Sequence, residues 1–98
     1  MSTPITDKAE VSIDFPDKFY MGSFGPGSRF DVTADKEGVH IHLERNRGEK
    51  RRAGLHIHYY LLARLLETAA QAAAAVKNVE PHQSVRLKEA AVAWRKLA

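Results

Sequence analysis

The chain contains no cysteine, and this absence excludes several kinds of chemistry at once. Disulfide bonds, thiolate nucleophiles and zinc sites with cysteine ligands all require that residue. Aromatic residues make up only 8% of the sequence. No serine or threonine lies in a GxSxG-like context, and the glycine-containing segment 22–27 matches neither GxGxxG nor the P-loop. We therefore expect a protein that is not an enzyme and needs no cofactor.

A long uninterrupted hydrophobic run is also missing. The most apolar segment, 59–76, is broken by Arg64, Glu67 and Gln71 and consists largely of alanine. It is too polar to be a good transmembrane helix. The first ten residues show no basic stretch followed by an apolar core, so no secretory signal is visible. These absences predict a cytoplasmic protein without a membrane partner, and 98 residues suit a single domain.

Alternation of apolar and polar residues predicts β-strands in the first half of the chain. The pattern covers segments 11–15, 30–34, 39–44 and 53–58, with 19–21 as a further short candidate. Residues 1–9 lack periodicity and are expected to form a flexible tail, segment 22–27 a loop, and segment 35–38 a turn. Burying the apolar rows together pairs Val32 with Ile41, and Ile41 with Ile57, because a shift by one residue would expose a row to water.

From Tyr59 onwards the apolar residues recur at helical spacing. The resulting stripe comprises Leu61, Leu62, Leu65, Leu66, Ala69, Ala72, Ala73 and Val76. We expect this helix to lie across the apolar face of the sheet and close the core. Segment 78–84, which contains Pro81, interrupts it, and a second amphipathic helix follows over 85–97. The predicted fold is α+β: an antiparallel meander of about four strands covered by an amphipathic helix, plus a C-terminal helix. Unpaired sheet edges and the alanine row predict a homodimer.

Positive charge is concentrated around one predicted turn. The formal net charge is only +3, but the segment 45–52 contains Arg45, Arg47, Lys50, Arg51 and Arg52. Two strands that carry several arginines can lie along a phosphate backbone and release its condensed counterions. Tyr59 and Phe24 are candidates for stacking on bases. This cluster predicts nucleic-acid binding, and a solvated charged turn is the alternative interpretation.

Histidines occupy the predicted polar face of the same strands. The register above places His42 opposite His56, His40 opposite His58, and Asp31 opposite His42. Cross-strand neighbours are about 5 Å apart at Cβ, so these side chains are candidate metal ligands. The alternatives are a solvated or partner-contacting face, and a face that responds to pH because clustered imidazoles repel one another when charged.

Three features occur together in the stretch RFDVTADKEGVHIHLERNRGEKRRAGLHIHYYLLARLLETAAQA: consecutive strands joined by an EG-type turn, a basic tip at 47–52, and a short strand that runs into a helix. This combination resembles the positive-cofactor-four family of single-stranded-DNA-binding transcriptional coactivators. The resemblance implies a dimer whose curved sheet binds single-stranded DNA. It also implies that the phosphate backbone of the DNA is contacted by Arg45, Arg47, Lys50, Arg51 and Arg52. A protein-interaction or assembly module is the alternative function.

Overall fold

The computed structural model describes residues 2–97. Its elements in chain order are β1 (Thr3–Pro4), β2 (Ala9–Phe15), β3 (Lys18–Phe24), β4 (Ser28–Ala34), β5 (Gly38–Arg45), β6 (Arg51–His58), α1 (Tyr59–Ala74) and α2 (Pro81–Trp94). Every strand pair is antiparallel, and the strands precede both helices. The predicted α+β class with an antiparallel sheet is therefore confirmed.

The strands form two sheets. One has the order β1-β4-β5-β6, and the other is the hairpin of β2 and β3. The β4–β5 register is the predicted one, with Val32 opposite Ile41. In the β5–β6 ladder Ile41 lies opposite Leu55, whereas we expected Ile57. This two-residue difference keeps each side chain on its face, so the apolar pattern does not distinguish the two registers. The observed register gives Val39 a strand partner, Ile57, before α1 begins at Tyr59.

Two segments near the N-terminus are more regular than expected. Thr3 pairs with Phe30, and Arg29 donates from Nε to the Ser2 hydroxyl at 2.7 Å, so the segment predicted as a flexible tail contains a strand. Of the predicted loop 22–27, residues 22–24 complete β3 and only 25–27 turn. A Cβ at Gly22 would lie 3.3 Å from the Arg51 side chain, so this glycine serves close packing within the sheet region.

The chain divides into two compact units, Met1–Leu62 and Ala63–Ala98. In the described residues the buried apolar side chains are Phe24 and Val39. Neither helix buries a side chain, and Leu61 and Leu65 are 56% and 47% exposed. The expected burial of the leucine stripe is therefore not seen within one chain. Helical periodicity identifies an apolar stripe that is expected to be buried, but it does not identify the surface against which the stripe packs.

Both helices differ slightly from their predicted bounds. The first ends at Ala74. The second begins at Pro81, where Glu80 is the N-cap and its carboxylate accepts a hydrogen bond from the His82 amide at 3.1 Å. The sequence pattern places Pro81 in the segment between the helices, but in the structure it begins α2. Proline suits the first turn because the amide it lacks would have no intrahelical partner there. Among the described residues, no helix has the length and apolar character needed to cross a membrane.

Candidate functional site

The basic tip lies at the turn between β5 and β6 and consists of Arg45, Arg47, Lys50, Arg51 and Arg52. Arg45 is the last residue of β5 and pairs directly with Arg51, the first residue of β6. Gly48 turns the chain between them with a φ of 64°, which glycine adopts at little steric cost. The structure therefore brings the five predicted cations to one end of the hairpin.

The five side chains of the basic tip differ in how firmly they are held. Arg51 donates to the Glu49 carboxylate at 2.9 Å and to the Ser23 carbonyl at 3.4 Å, which ties the tip to β3. Arg45 donates from Nε to the Arg47 carbonyl at 3.1 Å. Within residues 2–97, the side chains of Arg47, Lys50 and Arg52 make no hydrogen bond or ion pair. These last cations are available to an anion without first breaking an internal contact.

A groove of about 550 Å³ lies between the β2–β3 hairpin and β6, next to the basic tip. Its lining includes Ile13, Tyr20, Met21, Arg51, Arg52 and Leu55. The Arg51 side chain packs against Gly22 of β3, so the groove places this cation beside apolar and aromatic side chains. Tyr20 was not among the predicted site residues. A strand was expected around 19–21, but its approach to β6 is a tertiary contact that local periodicity does not report.

Neither of the predicted stacking residues presents an exposed ring at the basic tip. Tyr59 stands just beyond the other end of the eight-residue β5 and β6 strands, about 26 Å from the Arg45–Arg51 pair at about 3.3 Å per residue. Its hydroxyl donates to the Asp35 carbonyl at 2.6 Å. Phe24 is only 2% exposed and belongs to the core, so its ring has no free face for a base. Tyr59 is therefore distant from the basic tip, whereas Phe24 lines the groove but is buried.

The histidine face is present, but its partners differ from the predicted ones. His40 lies opposite His56, His42 opposite Gly54, and Gly38 opposite His58. The rings of His40 and His56 are stacked with centroids 3.9 Å apart and planes 9° apart, and the His58 ring lies 4.9 Å from that of His56. The two-residue register difference thus replaces the expected His42–His56 and His40–His58 pairs with one stacked pair.

Asp31 and His42 form a second part of this face. Asp31 lies opposite His42, as predicted. Its Oδ1 atom is buried and has no hydrogen-bond partner within the described part of the chain. The His42 ring lies over Gly54, since a Cβ built at that glycine would be 3.2 Å from His42 Cδ2. These two residues do not join the His40–His56 pair.

Asp35 joins the histidine pair, although we had assigned it only to a turn. Its Oδ1 accepts hydrogen bonds from the amides of Glu37 and Gly38 at 2.8 and 3.0 Å, and its Oδ2 lies 3.1 Å from His40 Nε2. The Glu37 amide, then His40, then the Gly38 amide lower the pKa of this carboxyl to about 2. The potential ligand atoms of Asp35, His40 and His56 all lie within 4.8 Å of one another. The sequence signal that could have indicated this contact is the position of Asp35, which lies in the turn five residues before His40 and on the polar side of the sheet.

A search of protein-family models, curated proteins and solved structures gives no match to this chain.

Proposed function

We propose that this protein binds single-stranded nucleic acid at the basic tip and the adjoining groove. The observation that supports this most directly is the composition of the groove, whose lining includes the cation Arg51 and the aromatic residue Tyr20. A nucleotide needs both surfaces, since its phosphate is an anion and its base has an apolar face. The sequence resemblance to single-stranded-DNA-binding coactivators is consistent with the same ligand class.

The electrostatics of the basic tip favour an anionic partner. Arg45 and Arg51 are directly opposite in the ladder, and like charges in that position destabilise a hairpin unless an anion lies between or beside them. Glu49 neutralises part of the charge through its ion pair with Arg51. Arg47, Lys50 and Arg52, which form no ion pair within residues 2–97, would contact phosphates and release counterions, which makes the predicted affinity fall with salt.

A charge-matched pair of variants tests the phosphate contacts. The double variant Lys50→Gln/Arg52→Gln removes two free cations and leaves the Arg51–Glu49 ion pair in place. Arg86→Gln/Lys88→Gln, on α2, removes the same charge and serves as the control.

We expect fluorescence anisotropy with labelled oligonucleotides to show weaker binding only for the first variant. The slope of log affinity against log salt should flatten by about 1.4, at about 0.7 for each lost contact to a single strand. Equal slopes for the two variants would contradict the proposal.

The stacking contact is tested separately. Tyr20 is 54% exposed within the groove, whereas Tyr60 is 93% exposed on α1 and is the control aromatic residue. Tyr20→Ala should weaken single-strand binding by about 1–3 kcal/mol, the usual range for loss of one base–aromatic stack. Duplex binding should change less, because paired bases are already stacked on one another. If Tyr60→Ala has the larger effect, the groove is not the binding surface.

A second candidate function, self-assembly, is favoured by a different observation. Large apolar side chains are exposed on the β2–β3 hairpin, the sheet and both helices, including Phe19 at 60%, Met21 at 77% and Val32 at 54%. Exposure on this scale marks an interaction surface or an aggregation liability. We propose a second copy of the chain as the partner, because β6 lies at an edge of its sheet. Two identical edges can pair about a two-fold axis and remove both unpaired strands.

Light scattering coupled to size-exclusion chromatography tests this assembly. We expect the mass of a dimer for the unmodified chain. Leu55→Lys places a charge on the exposed apolar face of β6 and should shift the mass toward that of a monomer, whereas Thr33→Lys, on the polar face, should not. A monomer mass at every concentration, in a chain that remains folded by circular dichroism, would contradict self-association.

A further inference from the structure

A second potential site lies at the far end of the sheet from the basic tip. It is built from the turn between β4 and β5 and from the polar faces of β5 and β6. Its residues are Asp35, His40 and His56, whose oxygen and nitrogen donor atoms fall within 4.8 Å of one another. None of these residues belongs to the proposed nucleic-acid surface, so this site stands independently of that proposal.

The carboxylate of this site is held in place by the backbone. Asp35 Oδ1 accepts from two amides of the following turn, which fixes the orientation of the group. The other oxygen, Oδ2, is left facing His40 Nε2 at 3.1 Å. A carboxylate that is positioned before any ligand arrives loses less conformational entropy on binding than a free one does.

The two imidazoles are brought together by the strand register. His40 and His56 are direct cross-strand partners, and their rings stack at 3.9 Å. In this stacked arrangement the nitrogen lone pairs do not converge, because the planes are nearly parallel, at 9°. The His40 side chain is 35% exposed and His56 is also exposed, so each ring has room to rotate about its terminal torsion. His40 Nε2 already faces Asp35 Oδ2, so rotation of the His56 ring would turn one of its nitrogens toward the same carboxylate.

Two imidazole nitrogens and one carboxylate oxygen form a donor set that suits borderline divalent ions of the first transition row. Calcium and magnesium prefer oxygen ligands alone, and copper(I) prefers the sulfur ligands of cysteine and methionine. Zn²⁺, Co²⁺, Ni²⁺ and Cu²⁺ accept imidazole together with carboxylate, and water completes the coordination shell. His58 lies along the same strand with its ring 4.9 Å from that of His56, but it is not part of the group whose donor atoms lie within 4.8 Å of one another.

We propose that Asp35, His40 and His56 bind one divalent transition-metal ion of this kind. The ion would join the β4–β5 turn to the edge strand β6, across a ladder that is otherwise held there by backbone hydrogen bonds. The predicted set therefore differs from the one expected from the sequence alone. Asp35 replaces Asp31 as the carboxylate, and His42 is not a ligand.

The test is calorimetric titration of the full chain, without a histidine tag and after removal of metal by a chelator, with ZnCl₂. We expect one ion bound per chain. Asp35→Asn is the informative variant, because the amide oxygen can still accept the two turn hydrogen bonds while the negative charge is lost. His56→Ala removes an imidazole. Each should weaken Zn²⁺ binding by more than about 100-fold, since even second-shell changes reduce metal affinity 10- to 100-fold.

Two matched controls make the result specific. His42→Ala removes an imidazole from the same face, and His82→Ala removes one from α2. Both should bind Zn²⁺ as the unmodified chain does. Titration with Co²⁺ gives a second readout, since its visible absorption should intensify on binding in the unmodified chain and not in Asp35→Asn. The proposal is overturned if no stoichiometric binding occurs, or if His42→Ala and His82→Ala weaken binding as much as His56→Ala does.

Discussion

Arg45 lies directly opposite Arg51 at the closed end of the β5–β6 ladder, and among the residues that the structure describes only Arg51 of this pair has an acidic partner, Glu49. Folding therefore places two arginine residues directly opposite each other across the ladder. This arrangement disfavours the hairpin in the absence of an anion and favours it when an anion is bound. The same pair thus links the stability of the basic tip to its proposed ligand.

Replacing Arg45 should change the stability of the fold and the affinity for oligonucleotides in opposite directions. Arg45→Gln removes the repulsion with Arg51 and keeps a side chain of similar length. We expect the free energy of unfolding at low salt to rise by about 0.2–0.5 kcal/mol, the range for an exposed cross-strand charge pair, while oligonucleotide affinity falls. Urea denaturation and anisotropy measure the two quantities. A large loss of stability would show instead that the Arg45–Arg47 hydrogen bond outweighs the repulsion.

Gly38 should not tolerate even a methyl group. A Cβ at this buried position would collide with the carbonyl of Ile57 and with the Cα atom of His58, both of which belong to the backbone of β6. We expect Gly38→Ala to lower the free energy of unfolding by at least about 1–3 kcal/mol, as overpacking does elsewhere.

Gly54→Ala is the comparison for Gly38→Ala, because the added methyl group meets only the His42 side chain, which can move. Its effect on the free energy of unfolding should be smaller, since alanine also reduces the freedom of the unfolded chain. Chemical denaturation of the two variants measures both values. Equal losses of stability would contradict the close backbone approach at Gly38.

The unpartnered oxygen of Asp31 should make this residue a site of stabilising substitution. Asp31→Thr removes a partly buried charge whose Oδ1 has no hydrogen-bond partner in the described structure, and it places a β-branched residue in β4. We expect a gain of about 1 kcal/mol from removing the unsatisfied group. Asp14→Thr, at an exposed position of β2, measures the contribution of β-propensity alone. Equal changes in the free energy of unfolding for the two variants would mean that the Asp31 carboxylate has a hydrogen-bond partner in solution.

The turn at Asp35 should make the metal-free protein sensitive to acid. The pKa of this carboxyl is lowered from 3.8 to about 2 in the folded chain, chiefly by the Glu37 amide. Because the folded value is the lower one, the ionised group contributes its full stability above pH 4 and loses that contribution as the pH falls toward 2. The denaturation midpoint of Asp35→Asn, measured in a chelator, should therefore approach that of the unmodified chain over this interval. A constant difference between the two would contradict the assignment.

The sequence determined more of the fold than of the candidate sites. Alternation located the β4–β5 and β5–β6 hairpins because a half-buried strand exposes every second side chain, and the first register followed from matching two apolar rows. The second register was predicted two residues away from its position. The predicted and the observed register leave each side chain on the same face of the sheet, so the apolar pattern does not choose between them. The choice depends on where β6 ends and α1 begins.

For the sites, the sequence by itself placed the basic tip, because hairpin residues adjacent in sequence remain adjacent in space. It also identified His40 and His56 as sharing one face. The folded structure was needed to show that Tyr20 rather than Tyr59 lies near the arginines, and that Asp35 rather than Asp31 joins the histidine pair. Both outcomes depend on contacts between segments distant along the chain, or on the orientation of a side chain within a turn. The pattern of apolar and polar residues encodes the direction of side chains, but it does not encode these distances.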